Sequence, residues 1–293
     1  MYGYFLQDTF SKKVFRMKII FVGWTNKLYL KDFVKKDNRL HLMAFRITIL
    51  KTFLILGLVL PGIGVSAQKQ TAHNNQYWFG YMTSAKLSDK YSLWNDAHFV
   101  PGAFAIVRTG LTRNIFGKGT LTGGYAYAKL PFGSDNVLKR TEHRPWAQAY
   151  FASTPAQSWT LSQRIRYDAR YRQRIEETGL SDGYLFNHRV RFLVSLRRNI
   201  NKPRQGGDIY YAVLSNEILL NFGNQVIQTF DQNRISLGVG LERKKTQYQI
   251  GLMNRYVQRS ASQYVQNHTL VVWVTQKLDF TRKVSPAAGT LSD

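Results

Sequence analysis

The sequence predicts an all-β fold: a single antiparallel, up-and-down transmembrane β-barrel of about 10–12 strands, preceded by a signal peptide. Three observations predict it. The segment Leu161–Arg174, LSQRIRYDARYRQR, splits by alternate residues into two faces. One face carries Ser162, Arg164, Arg166, Asp168, Arg170, Arg172 and Arg174; the other carries Leu161, Gln163, Ile165, Tyr167, Ala169, Tyr171 and Gln173. Successive strand side chains point to opposite sides, so this is a strand with one ionic and one largely apolar face. Segments of this kind run about ten residues or more, the length a tilted strand needs to cross a bilayer. The third observation is a leader of the kind carried by exported proteins.

That leader is Met43–Ala67, MAFRITILKTFLILGLVLPGIGVSA. Arg46 and Lys51 make it positive at its start, and Thr52–Leu60 is an apolar core too short to span a bilayer. Pro61 and Gly62 break the core, and Val65-Ser66-Ala67 offers small residues for a cut near Ala67. Such a leader works at an N-terminus, so translation is expected to start at Met43. The expected organisation is an upstream extension without order (1–42), a signal peptide (43–67), a β-barrel domain (68–280) and a C-terminal tail (281–293).

Composition narrows the chemistry. The chain has 293 residues, a net charge of +24 and no cysteine, which removes disulfides, thiolate catalysis and cysteine-based zinc sites. So basic a chain first suggests nucleic acid, whose readers carry an exposed basic stripe or helix. Here the basic residues sit at alternate strand positions or in turns such as Arg243-Lys244-Lys245, and no nucleic-acid partner is expected.

From Gln76 onward short strands alternate with turn signals. The expected strands are Tyr77–Leu87, Tyr91–Val100, Ala103–Arg113, Thr120–Leu130, Glu142–Phe151, Leu161–Arg174, Tyr184–Arg198, Asp208–Phe222, Asn233–Glu242, Thr246–Val257 and Asn267–Phe280. Asp89-Lys90, Pro101-Gly102 and the glycine-rich 116–119 supply the first turns. That makes eleven, whereas single-chain bacterial barrels normally have an even number, so ten or twelve are expected, with the discrepancy at the N-terminal turns. Connections from the fourth strand on are expected to alternate: long at Pro131–Thr141, Ile175–Gly183 and Gly223–Gln232, short at Ser153–Pro155. Outer-membrane barrels treat their two sides in this way.

Later strands keep the two-faced pattern. Phe186, His188, Val190, Phe192, Val194 and Leu196 share one phase, as do Ile235, Leu237, Val239 and Leu241. Tyr77, Trp78, Trp94, Tyr125, Tyr127, Trp146, Tyr248 and Tyr256 near strand ends read as an aromatic girdle. Alternation alone also fits a secreted sandwich or lipocalin-like barrel. The leader, the strand lengths and the aromatics favour apolar faces outside and charges within.

At this point several segments resemble a known family: Glu142-His143-Arg144-Pro145-Trp146, Arg164–Arg170, Asn216-Glu217 and Phe230–Arg234. They are similar to the signature of an uncharacterised group of Gram-negative envelope proteins called domain of unknown function 2490, over about Gln76 to Phe280. The resemblance implies an exported β-barrel, placed in the cell outer membrane, and implies no activity. Phe280 closes the last strand with an aromatic, as outer-membrane barrels do, whereas residues 281–293 depart from that habit.

The candidate site is the lumen. The inward phase carries Glu142, Arg144, Arg164, Arg166, Asp168, Arg170, Arg189, Arg191, Arg197, Glu217, Arg234, Glu242 and Arg255. Buried charges must pair, and a guanidinium fork matches carboxylates, so an arginine–carboxylate network closing the lumen of a structural or envelope protein is the first reading. Nine arginines against four carboxylates make an anion or acidic-oligosaccharide channel the second. An outer-membrane hydrolase is the third, with His143, beside Glu142, as its best base; no catalytic fingerprint accompanies it. Outer-membrane lipid is the expected partner, with no cofactor and no metal, since no histidine or carboxylate pair has ligand spacing on one strand face. Glu176, Glu177 and Asp182 read as a solvated loop.

Overall fold

The computed structural model describes residues 70–281 apart from 116–118, 134–136, 178 and 202–205. The expected upstream extension, the expected signal peptide and all of the expected tail except Thr281 lie outside the described residues. Among the described residues the chain forms strands only. They are β1 (Gln70–Lys86), β2 (Tyr91–Val100), β3 (Phe104–Asn114), β4 (Gly119–Pro131), β5 (Leu138–Ala156), β6 (Trp159–Glu176), β7 (Gly179–Asn199), β8 (Ile209–Phe222), β9 (Phe230–Arg243), β10 (Thr246–Gln258) and β11 (Gln263–Asp279).

Each strand pairs antiparallel with its sequence neighbour, and β1 closes the barrel against β11. That last pair is parallel, from Gln70 opposite Gln263 to Lys86 opposite Asp279. The expected even count therefore falls. With eleven strands the first and last run the same way, and only a parallel ladder can join them. The early segment that looked surplus is part of the wall. It also begins before Tyr77: the polar stretch Gln70–Gln76 pairs with Gln263–Thr269 through its backbone, which needs no apolar side chains.

Turn chemistry sets the hairpins. Between β2 and β3 the Ala103 amide donates to the Val100 carbonyl at 3.0 Å across Pro101-Gly102. Gly102 sits at φ 68°, the left-handed conformation that the third position of a type II turn requires. The expected alternation of long and short loops is absent. Ile175 pairs with Leu180 and Glu176 with Gly179, so the expected long loop Ile175–Gly183 is the tip of a hairpin. Gln173 reinforces it by donating to the Ser181 carbonyl at 3.0 Å. We call the rim that carries Glu177 and residues 259–262 the upper rim, and that of 87–90 and 244–245 the lower. The longest interval between strands separates Asn199 of β7 from Ile209 of β8, both at lower-rim ends, where short turns were expected.

The wall separates side chains by phase. Leu237 and Leu252 point away from the lumen and are 63% and 69% exposed. Glu142 and Arg166 point into it and are 0% and 2% exposed. The lumen itself has two sides. The inward phases of β1–β4, with β10, β11 and Trp146 of β5, build apolar clusters: Trp78, Val100, Met253 and Val271 form one, and Ile106, Ala126, Ala128 and Trp146 the other. The inward phases of β5–β9 carry most of the charges. Trp78, Trp94 and Trp146 thus belong to the lumen and not to an outer girdle, because each falls on the inward phase of its strand. Tyr77, Tyr125 and Tyr248 do face outward and are exposed.

Candidate functional site

All twelve charged positions expected to form the site, and Arg197 with them, line the lumen. Glu142 on β5 collects three guanidinium groups. Arg144, two residues along the same strand, donates to it through Nε, and Arg170 on β6 holds both its oxygens at 2.6 and 3.0 Å. Arg172 adds a third contact at 3.0 Å. The register places Arg172 directly opposite Glu142, so period-two alternation brings Arg170 and Arg172 to one carboxylate.

Glu217 on β8 is the second centre. Arg164 reaches it at 2.6 Å, Arg234 at 3.0 Å, and Arg191 spans both oxygens at 3.0 and 3.1 Å. Arg191 also approaches Asp168 at 3.7 Å, which ties the β6 and β8 carboxylates together. At the lower end Arg197 holds Glu242 at 2.7 Å and stacks over Tyr211.

Two further carboxylates escaped the sequence reading. Asp96 on β2 accepts from Arg108 Nε at 2.7 and 3.0 Å and from Trp94 Nε1 at 2.7 Å. Strict alternation sets Asp231 on the outward phase with Asn233 and Ile235. A bulge reverses it: Leu219 pairs with Gln232 and Leu220 with Phe230, leaving Asp231 unpaired and turned inward. There it meets Arg189 at 2.9 Å and accepts from Asn221 and Gln232. Among the described residues the arginines placed here, with Arg108 and Arg172, number eleven against six carboxylates.

The excess is satisfied by amides and ring faces. Arg166 donates to Gln148 Oε1 at 2.9 and 2.6 Å and lies over the Trp146 ring. Trp146 can approach the wall closely because it packs on Gly110, where a Cβ would stand 2.8 Å from the indole. Arg255 donates to Gln76 Oε1 at 2.7 Å and lies over Trp78 and Phe104. Among the described residues neither has a carboxylate within ion-pair distance. A desolvated cation over an indole face gains about 2 kcal/mol, which offsets part of the cost of burying it.

Toward the upper rim these side chains fill the barrel. Glu142, Asp168, Arg170, Leu219 and Thr269 have almost no accessible surface. Toward the lower rim a cavity of about 200 Å³ remains, with Trp78, Trp94 and Trp273 on one side and Arg164, Arg191 and Arg234 on another.

His143 is not part of this site. Adjacent strand residues point to opposite sides, so Glu142 faces the lumen and His143 the outer surface. Its ring is held by the Tyr125 hydroxyl at Nδ1 and by Tyr184 at 3.3 Å from Nε2. This is an aromatic cluster on the outer wall, whose ring contacts to His143 come from Tyr125, Tyr127 and Tyr184. His188 is likewise outward and bonded to Tyr167 at 2.7 Å. No group of three or more potential metal ligands occurs among the described residues. At the lower rim Arg243 donates to both oxygens of Asp208 at 3.1, 3.0 and 2.8 Å, and these bonds hold that carboxyl below its ordinary range.

Compared with known sequence families, residues 75–266 match one, described as "Protein of unknown function (DUF2490)". The match takes in every carboxylate and arginine of the lumen. No curated protein and no solved structure matches the chain.

Proposed function

We propose that this chain, which belongs to the family described as "Protein of unknown function (DUF2490)", is an outer-membrane β-barrel of a Gram-negative envelope. In this reading the lumen is closed by its arginine–carboxylate network and the role is structural. One observation carries it: the inverted distribution of side chains. Leu237, Leu252 and Val107 stand on the outside of a closed wall while Glu142, Arg166 and Asp168 are sealed within. Lipid offers no partner to backbone polar groups, and a closed barrel with an apolar exterior meets that requirement. Outer-membrane lipid is then the partner of the exterior. A segment of signal-peptide character at 43–67 would route the chain there, with cleavage near Ala67.

The test is fractionation of cells expressing the full chain. The protein is expected in the outer-membrane fraction after carbonate washing, and to run faster on gels unheated than boiled. Recovery as a soluble periplasmic protein would overturn the reading.

The cation excess in the lumen favours a second reading, a conduit for small anions or acidic oligosaccharides. The filled section near the upper rim opposes it. Planar-bilayer recording separates the two: a closed barrel gives no unitary current, whereas a conduit gives anion-selective steps that weaken in Arg164→Gln and Arg189→Gln.

A further inference from the structure

We infer that the lower cavity is a binding site for a single-ring organic anion of about monosaccharide size. The inference goes beyond the structural role and does not depend on the membrane in which the barrel sits.

Size comes first. At about 200 Å³ the cavity is smaller than the roughly 300–1,000 Å³ pockets that hold drug-sized ligands, so one ring is its limit. It is partly enclosed, and its hydroxyl-bearing wall of Ser195, Ser215 and Ser236 comes from β7, β8 and β9.

Charge comes second. Five arginines border the cavity (Arg108, Arg164, Arg166, Arg191 and Arg234) against two carboxylates, Asp96 and Glu217. His98 does not alter that balance: its Nδ1 accepts from Trp78 Nε1 at 3.1 Å, as a neutral ring does. The surroundings are therefore cationic, and a bound anion would balance positive charge that shared carboxylates, an amide and ring faces accommodate without neutralising.

Donors come third. Arg164 Nε and Trp273 Nε1 are buried without a hydrogen-bond partner among the described residues, and both residues line the cavity. A buried donor left unmade costs about 1–3 kcal/mol, so a ligand rich in acceptors would recover what the protein alone does not. Trp94 and Trp273 meanwhile offer ring surface to a flat apolar ligand, while Trp78 lies beneath Arg234 and Arg255. Carboxylate, hydroxyls and a ring face together describe a uronic-acid type of ligand better than a bare ion.

The experiment titrates the full chain, purified in detergent, with glucuronate, glucose and inorganic phosphate, reading tryptophan fluorescence, to which the three cavity indoles contribute among six. Glucuronate is expected to give a saturable change, with glucose and phosphate each at least tenfold weaker. Arg164→Gln and Arg234→Gln should each weaken glucuronate at least tenfold. Ser195→Leu, which fills the cavity without touching a charge, should abolish the response while the barrel keeps its heat-modifiable mobility. No saturable change with glucuronate overturns the inference. So does equal binding of glucose or phosphate, or an unchanged affinity in Ser195→Leu.

Discussion

Arg166 lies over the indole of Trp146, its guanidinium carbon 4.6 Å from the ring centroid, and its nitrogens meet the amide oxygen of Gln148 instead of a carboxylate. The charge is 2% exposed and belongs to no ion pair among the described residues, so its stability rests on that ring and that amide. Trp146→Ala is expected to cost about 3–5 kcal/mol, because it empties a buried ring site and strips the cation of its cover. Arg166→Met keeps volume while removing the charge, and is expected to cost less than half as much. Urea unfolding midpoints of the folded barrel in detergent measure both. The reverse order would show that Arg166 has a stronger partner than the indole.

Glu217 is the anchor of three guanidinium groups. Removing one partner of a buried ion pair costs about 3–5 kcal/mol, since the charge left behind has no other counter-ion. Glu217→Gln is expected to fall in that range. Glu242→Gln is expected to cost visibly less, because its carboxylate is 20% exposed and water can take over. Comparable losses for the two would mean that the lumen is wetter than its burial implies.

The outer wall makes a different demand. Leu237 stands in the middle of β9, outward and 63% exposed. In a bilayer an arginine there costs about 2–4 kcal/mol, so Leu237→Arg should lower the yield of heat-modifiable protein assembled into vesicles. Lys244→Arg, in the turn at the lower rim, should leave it unchanged. Equal assembly of both variants would argue against a lipid-facing β9.

Much of this was readable from period-two alternation. The phases of β6, β7 and β9 put Arg164, Arg166, Arg191 and Arg234 inside and Ile165, Phe192 and Leu237 outside, as the coordinates have them. What alternation misses is anything that breaks it or depends on closure. Asp231 is inverted by one extra residue, and nothing local in Phe230-Asp231-Gln232 announces a bulge. Asp96 and Arg108 are each a lone carboxylate or guanidinium on their phase, without the repeated charges that mark β6, and their meeting follows from the β2–β3 register. Trp78, Trp94 and Trp146 count as strand-end aromatics by residue type alone, whereas the phase of their strands turns them inward.

The seam itself can be trapped. Tyr77 and Leu270 are Cα partners across the parallel β1–β11 pair, both on the outward phase, in a chain without cysteine. Facing strand positions lie within the Cα separation of about 4.4–6.8 Å that a disulfide spans. Tyr77→Cys with Leu270→Cys should therefore crosslink under mild oxidation and shift the unheated gel mobility. Tyr77→Cys with Val274→Cys, offset by four residues, should not. Crosslinking of the second pair alone would mean that the closing register is displaced.

Gln70 opens β1 at the upper rim and Asp279 ends β11 at the lower. In most domains the first and last residues lie close together, and a short linker can join them to make a circular permutant. Here the linker would have to travel the length of a 17-residue strand, roughly 56 Å of path at about 3.3 Å per residue. The ordinary permutation experiment is thus closed to this barrel. In exchange, reporter groups fused at its two strand ends would sample opposite sides of whatever surface it is set into.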